Sequence, residues 1–250
     1  MKIIVNADDL GMSDSVNQAI FLGMRSGAIT SATILANGPA LESALAQLSH
    51  FSQCSFGVHL NLTEFTPSCK ESRVTLARII DGNGDFNGNS IREVKIDTSL
   101  LRGVFGEWCC QIEKLMRLGV EPSHLDAHHH VHTIPFLLPV LVALQRRYKI
   151  HKIRISRNMY DDSERPAPML LKKKWLFNAA LRAIGFQTTR IFTDLRTFTT
   201  LCGEHPPKGA TAELMTHPDV STRNAEAELL ANSWPEMLSY KPSLISYKSL

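Results

Sequence analysis

Short apolar runs alternate with helical patterns over the first sixty residues, and this alternation limits the folds open to the chain. Residues 3–5 form a continuous apolar run, which is typical of a strand buried on both faces. Further strands are predicted over 29–36 and 55–62, with helices over 14–25 and 40–49 between them. Repeated strand–helix units predict a parallel sheet of the α/β class. A chain of 250 residues is long enough for one barrel domain, and we predict a single domain over its whole length.

The pattern continues less regularly after residue 62. Residues 63–99 are irregular, and their turn-rich part at 81–89 predicts a loop over one face of the sheet. A second loop is predicted over 158–170. The remaining predictions are helices over 100–118, 136–148 and 170–184, and strands over 124–132, 152–155, 189–192 and 213–217.

Composition excludes several classes of function. The formal charge is +3, and no basic stripe interleaved with aromatic residues is present, so a nucleic-acid partner is not expected. Five cysteines, with no Cys-x-x-Cys pair, do not form a disulfide or thiolate-zinc pattern. No signal peptide precedes the first strand, and no apolar run is long enough to span a bilayer. We therefore expect a cytoplasmic protein.

Residues 124–132 hold five of the ten histidines together with Asp126. Side chains of a β-strand alternate between its faces, so Asp126, His128, His130 and His132 are predicted to share one face. Imidazoles at alternate positions can converge on one metal ion. The stretch therefore predicts a metal-centred site, with a hydrogen-bonded, partly exposed histidine run as the alternative.

Two adjacent carboxylates, Asp8 and Asp9, directly follow the first predicted strand. They lie at its carboxyl end, where parallel sheets and barrels place their chemistry. Ser13 is already suited to cap the next helix, so neither aspartate is needed for that purpose. Neighbouring residues on a strand point apart, and different roles are therefore expected for the two side chains.

Other polar side chains are predicted at the same rim. His59 and Asn61 share a face of the third strand, although a hydrogen-bonded core pair is an equal alternative. Arg154 and Arg157 are placed near this rim, with solvent-facing charge as their alternative. His217 stands just before a proline that stops strand pairing, where it suits an acid or base, or simply a turn.

The carboxylates and imidazoles at these strand ends are the functional groups that metal-assisted hydrolysis requires. A carboxylate and two imidazoles commonly bind a catalytic divalent ion, which polarises a carbonyl and lowers the pKa of water. A second carboxylate can then serve as general base and a separate histidine as general acid. Amide or ester substrates are favoured over phosphate esters.

Five segments together resemble the YdjC-like carbohydrate deacetylases, which include enzymes that remove N-acetyl groups from chitooligosaccharides. The segments span most of the chain and comprise residues 6–11, 30–31, 57–62, 124–132 and 216–218. The resemblance implies a distorted (β/α) barrel like that of polysaccharide deacetylases. It also implies a metal held by Asp9, His59 and His128. By analogy with the wider polysaccharide deacetylases, Asp8 is the base and His217 the acid.

The resemblance and the residue spacing differ on one ligand. Spacing favours His128 and His130 as joint ligands, whereas the resemblance takes only His128 from this strand. We follow the resemblance and assign His130 and Asp126 to orienting the ligands through hydrogen bonds. Imidazole ligands favour zinc, whereas the resemblance implies magnesium. The resemblance also implies an acetylated amino-sugar or oligosaccharide substrate and a homodimer.

Two other classes of function remain as alternatives. The first is a catalytically silent barrel that binds sugar or metal, but such a protein needs no separate base and acid. The second is a metal phosphoesterase, which more often has a two-metal, carboxylate-rich site.

Overall fold

Parallel strands form one sheet at the centre of the computed structural model, which describes residues 1–88, 90–207, 211–222, 226, 229–230 and 234–250. The strands are β1 (Lys2–Leu10), β2 (Ser31–Ile34), β3 (Ser55–Leu60), β4 (Leu125–Ala127), β5 (Ile191–Asp194), β6 (Thr211–Thr216) and β7 (Ser243–Leu244). The helices are α1 (Asp14–Arg25), α2 (Leu41–Leu45), α3 (Arg73–Leu76), α4 (Ser90–Glu93), α5 (Thr98–Arg117), α6 (Leu138–Tyr148), α7 (Pro168–Ala183) and α8 (Leu195–Cys202).

The strand order is β4-β3-β2-β1-β6-β5, and β7 pairs with β1. Residues 151–158 join the two edges of this sheet. Arg154 N donates to Leu125 O of β4 at 3.0 Å, while Asn158 N donates to Phe192 O of β5 at 3.2 Å. The sheet therefore closes as a distorted barrel, and the predicted α/β class is confirmed. Parallel strands in such a barrel present their carboxyl ends at one rim.

Local sequence signals account for the strand–helix units. Helix α1 covers the predicted residues 14–25, and the Ser13 side chain accepts from Val16 N as its N-cap. Gly27, at φ 80°, follows its last turn in the left-handed region that glycine tolerates. The second predicted helix, 40–49, is wrong in part because α2 ends at Leu45 and a 3₁₀ turn over Leu48–Phe51 follows.

Later elements agree less closely with the predictions. Residues 152–155 make only isolated bridges, to Leu125 and Gln187, rather than a regular strand. Helix α8 was not predicted. The predicted loop over 81–89 is turn-rich as expected up to residue 88, whereas residue 89 lies outside the described residues.

The histidine-rich stretch is not the strand that its spacing predicts. Strand β4 ends at Ala127, and a 3₁₀ turn over His128–Thr133 follows. Within it, His129 and His130 have left-handed backbones with φ of 49° and 55°. Because the alternation of faces stops at Ala127, the expectation that His128, His130 and His132 share a face is wrong. We call residues 128–133 the histidine turn.

All five cysteines are free thiols in this structure. Among the described residues, every helix is too short or too polar to cross a membrane.

A close approach at Gly57 ties β3 to the interior of the barrel. A Cβ at this position would lie 2.5 Å from Cε1 of the His124 ring. His124 cannot move aside easily because its ring stacks on Tyr247 with centroids 3.6 Å apart. We expect Gly57→Ala to lower the free energy of unfolding by about 1–3 kcal/mol through overpacking.

Urea unfolding of Gly57→Ala measures this effect, and Gly82→Ala is the matched control. Gly82 has nothing within 4 Å of its Cβ position, so its change should stay within about 0.5 kcal/mol. Equal stability of the two variants would show that the His124 ring does not confine Gly57.

Candidate metal centre

The backbone is irregular at the end of β1, and this irregularity directs the side chains of two successive aspartates towards the same histidine. Asp9 has φ of 68°, and the pairing of β1 with β2 shifts register between Ala7 and Leu10. Such a bulge re-aims a side chain that regular alternation would send to the other face. The expectation that Asp8 and Asp9 point apart is therefore wrong, although their contacts do differ. Both carboxylates lie near His59.

Asp9, His59 and His128 form a compact group of donor atoms. Asp9 Oδ1 lies 2.8 Å from His128 Nδ1 and 3.2 Å from His59 Nε2. Despite these distances, Asp9 Oδ1 is buried and makes no aligned hydrogen bond. A carboxylate oxygen and two imidazole nitrogens, all within 4.8 Å of one another, are a donor set that suits a divalent ion. The three residues fit a metal, and His130 is not part of the group.

The other nitrogen of His59 is held in a second layer of contacts. His59 Nδ1 lies 2.7 Å from Asp126 Oδ1, and Thr33 Oγ1 donates to Asp126 Oδ2 at 3.0 Å. This arrangement assigns a proton to Nδ1 and leaves Nε2 facing Asp9, where it can bind either a second proton or a metal ion. Asp126 therefore holds the His59 ring in a fixed orientation, whereas no sequence pattern pointed to the role of Thr33.

Charge at this cluster favours a cation. Burial opposes ionisation of Asp9, but contacts with His128 and His59 hold the pKa of its carboxyl well below the ordinary value. Burial likewise opposes protonation of His59, yet Asp126 and Asp9 raise its pKa to about 10. In both cases, neighbouring charge overcomes the desolvation cost. Buried negative charge of this kind attracts a proton or a metal ion.

Arg154 lies at the centre of a buried ionic network below the ligands. Its Nη1 and Nη2 donate to the two oxygens of Asp8, each at 2.6 Å. Nη1 also lies 2.9 Å from Asp126 Oδ2, and Nε donates to Glu213 Oε1 at 2.8 Å. The alternative of a solvent-facing Arg154 is wrong, because its side chain is fully buried. The guanidinium holds Asp8 in a fixed bidentate geometry.

A carboxylate inside β6 completes this network. Burial raises the pKa of Glu213 to about 7, although Arg154 and Tyr247 act in the opposite direction. The Tyr247 hydroxyl donates to Glu213 Oε2, and its ring stacks on His124. Sequence reasoning missed Glu213 and Tyr247. A charged residue between the apolar Ala212 and Leu214 of a buried strand was the available signal for Glu213.

His217 follows β6 and approaches Asp8 from the rim. Its Nε2 lies 3.8 Å from Asp8 Oδ2, and its backbone N donates to Glu226 Oε2 at 2.7 Å. The side chain is 47% exposed at the rim. The structure thus brings together the two residues that were predicted to be base and acid.

Asn61 has a role in the loop after β3 rather than beside His59. Strand β3 ends at Leu60, and Asn61 Nδ2 donates to Glu64 O at 2.8 Å while Oδ1 accepts from Thr63 N at 2.9 Å. These bonds shape the turn that carries Glu64. Glu64 Oε1 lies 3.5 Å from His128 Nε2, so its carboxylate borders the candidate metal centre.

Two further predicted residues lie apart from the ligand cluster. His130 packs edge-on against Phe192, with ring centroids 5.6 Å apart, and its buried Nδ1 has no hydrogen-bond partner among the described residues. It therefore does not orient a ligand through a hydrogen bond in this structure. Arg157 lies near the rim as predicted, but its Nη2 is paired with Asp194 at 2.6 Å and Glu164 at 2.8 Å.

The family model of YdjC-like proteins matches residues 2–241. The chain belongs to the YdjC-like family. The match includes every residue named so far in this metal centre and its ionic network except Tyr247.

Curated relatives of this YdjC-like protein carry one common name. A carbohydrate deacetylase of Geobacillus stearothermophilus is 35% identical over 157 residues, which cover 62% of this chain and 60% of that protein. One from Enterococcus faecalis is 35% identical over 182 residues, covering 68% and 67%. The match thus spans about three fifths of the first of these relatives and two thirds of the second.

Solved structures support the same fold. A crystal structure described as a cellobiose-phosphate cleavage protein from Enterococcus faecalis superposes with a TM-score of 0.74 at 25% identity, covering 99% of this chain and 98% of that one. A lactam utilization protein from Thermus thermophilus has a TM-score of 0.52 at 13% identity, covering 98% and 100%. The second resemblance concerns the fold alone.

Proposed function

We propose that this chain is a metal-dependent carbohydrate N-deacetylase that hydrolyses the acetamide of an amino sugar or chitooligosaccharide. The observation that carries the proposal is the juxtaposition of Asp8 and His217, 3.8 Å apart, beside the buried donor set of Asp9, His59 and His128. The name shared by the curated relatives supports the same reaction. A binder of sugar or metal has no use for a fixed carboxylate and an exposed imidazole in this position.

Asp9, His59 and His128 hold the metal in this proposal. A divalent ion there supplies a Lewis acid that polarises the acetyl carbonyl and makes water more acidic. Asp8 accepts the proton of the attacking water, and Arg154 keeps its carboxylate in place through two hydrogen bonds. His217, whose side chain is about half exposed at the rim, donates a proton to the departing amine.

We expect Asp8→Asn and His217→Ala each to lower the deacetylation rate by about 10²–10⁴-fold, because each removes one proton-transfer group. Metal content should stay at the wild-type level in both variants, since neither residue belongs to the donor set. The deacetylation rate of His217→Ala should come closest to the wild-type rate on substrates with better leaving groups, because these need less help from a general acid. A wild-type rate with metal in place would remove that residue from the mechanism.

Acetate release from a panel of N-acetylated amino sugars and chitooligosaccharides, with and without a chelator, tests the function itself. Activity should disappear with the chelator and return when a divalent ion is added. Phosphate release from phosphate esters, assayed in parallel, would identify a metal phosphoesterase instead. Metal or sugar binding without either product would indicate a silent barrel.

Three finer statements rest on the family resemblance and accompany the proposal. We propose magnesium as the native ion, with zinc as the alternative that two imidazole ligands favour. The cytoplasm is the proposed compartment, and a homodimer is the proposed working form. We expect light scattering at micromolar concentration to give the mass of two chains, and the mass of one chain would end the dimer proposal.

A further inference from the structure

A cavity of about 830 Å³ adjoins the histidine turn and takes no part in the proposed mechanism. His130 and Thr133 line it from that turn, while α4 and the first half of α7 form other walls. Arg92 of α4 connects the wall to the histidine turn, because its guanidinium donates to His129 O at 2.5 Å. Its size lies in the range of cavities that bind small molecules.

Much of the cavity wall is apolar. The apolar lining includes Ile91, Ile96, Ile134, Pro135, Phe136 and Phe177. Phe136 is 70% exposed and Leu170, which also lines the cavity, is 46% exposed. Large apolar side chains exposed together at a polar rim are typical of a binding site.

The charged part of the wall is entirely basic. Its cations are Arg92, Lys95, Lys173 and Lys174. In the described part of the chain, no carboxylate lies within salt-bridge distance of any of these four. Burial, together with the neighbouring charges of Arg157 and Arg92, lowers the pKa of Lys174. Positive charge is therefore concentrated here without a neighbouring negative charge. A bound anion would supply that negative charge.

We propose that the substrate is an amino sugar attached to an apolar chain that carries a phosphate, and that this cavity binds the chain and its phosphate. The inference rests on the proposed deacetylase function, since the sugar acetamide would lie at the metal centre on the other side of the histidine turn. The chain contacts the apolar wall, and the phosphate pairs with the lysines and Arg92. Charge complementarity selects an anionic group, and the apolar lining selects an attached hydrocarbon.

Calorimetric titration of the full chain with octyl phosphate tests this assignment without turnover. Octanol and inorganic phosphate serve as the probes that lack the charge or the chain. We expect octyl phosphate to bind at least about tenfold more tightly than either, because charged hydrogen bonds and chain burial both contribute. Comparable weak binding of all three probes would overturn the proposal.

Variants locate the bound probe. Lys173→Glu should weaken octyl phosphate binding by more than about tenfold, whereas Lys172→Glu, the same charge change at the adjacent exposed residue outside the cavity, should weaken it by less than about threefold. Phe136→Ser should also weaken it, by about three- to tenfold, and Val74→Ser, at a residue 86% exposed outside the cavity, should not. Octyl phosphate binding that Lys173→Glu and Phe136→Ser leave unchanged would belong to the metal centre or another surface, and would overturn the proposal.

The two proposals fail in different ways. Acetate release without preferential binding of octyl phosphate would leave the deacetylase and reject the cavity assignment. Preferential binding that depends on Lys173, without acetate release from any amino sugar, would keep an anionic amphiphile site and reject the deacetylase.

Discussion

His128→Ala is expected to abolish tight binding of a divalent ion, while His130→Ala should leave it nearly unchanged. His128 Nδ1 lies 2.8 Å from Asp9 Oδ1 and within reach of His59, so its loss removes one of three donors. The dissociation constant should rise by more than about 100-fold, beyond the roughly 10- to 100-fold typical of an outer contact. His130 instead faces Phe192, and its removal should cost less than about tenfold.

Metal content after dialysis and calorimetric titration with zinc and magnesium measure these constants. Thermal unfolding gives an independent reading, since a bound ion stabilises the folded chain according to its concentration and affinity. His128→Ala should lose the metal-dependent rise in Tm, and His130→Ala should retain it. Retention of metal by His128→Ala with loss from His130→Ala would restore the pairing that the sequence spacing favours.

Arg154→Met should cause a large loss of stability, about 3–5 kcal/mol in the free energy of unfolding. Arg154 is the cation that neutralises Asp8, Asp126 and Glu213 in the barrel interior, at distances of 2.6 to 2.9 Å. Removing one partner of a buried ion pair leaves uncompensated charge, and the cost of that charge exceeds the value of the pair itself. Urea unfolding measures the difference.

Arg157→Met is the matched control for this variant. Arg157 also contacts two carboxylates, but its side chain is 19% exposed and its partner Glu164 is 54% exposed. Pairs that water can reach contribute about 0–1 kcal/mol, so Arg157→Met should be the milder change. A second substitution, Asp8→Asn in Arg154→Met, should recover part of the lost stability because it removes the carboxylate that Arg154 holds with two hydrogen bonds. Equal effects at the two arginines would show that the interior network is not what stabilises the barrel.

Local signals were enough to predict the strand–helix units at the start of the chain. The apolar run at residues 3–5, the Ser13 cap and Gly27 each act over a few residues, and α1 has the predicted bounds. The rim location of Asp9 and His59 followed from the same reasoning, because the carboxyl ends of parallel strands meet there.

Backbone geometry limited what the sequence could predict about the site. Asp9, His129 and His130 adopt positive φ, which is uncommon for residues other than glycine and has no simple sequence signal. At Asp9 this conformation brings adjacent carboxylates to one cluster. In the histidine turn the His128 and His129 rings lie together, with centroids 4.1 Å apart, while His130 faces Phe192. Periodicity arguments assume a regular backbone, so they failed at these positions.

Arg154 illustrates a second limit, which is long-range charge. Its partners Asp8, Asp126 and Glu213 come from three different strands, and only the folded chain brings them together. An arginine between two isoleucines could be assigned to solvent or to a buried network on sequence grounds. The three carboxylates around the guanidinium decide that Arg154 is buried, and no single segment of the sequence contains all of them.

The pairing of β1 has a consequence for the order in which the barrel can assemble. β1 precedes every other strand during synthesis, yet one of its edges pairs along most of its length with β6, which is made about 200 residues later. Until β6 is made, the backbone groups on that edge have no partner, although β2 can already pair with part of the other edge, whose first residues wait for β7. Contacts of such sequence separation are slow to form because a long loop must close first. A nascent chain halted before residue 211 would therefore display a bare apolar strand edge, which is the kind of surface that chaperones shield and that aggregates recruit.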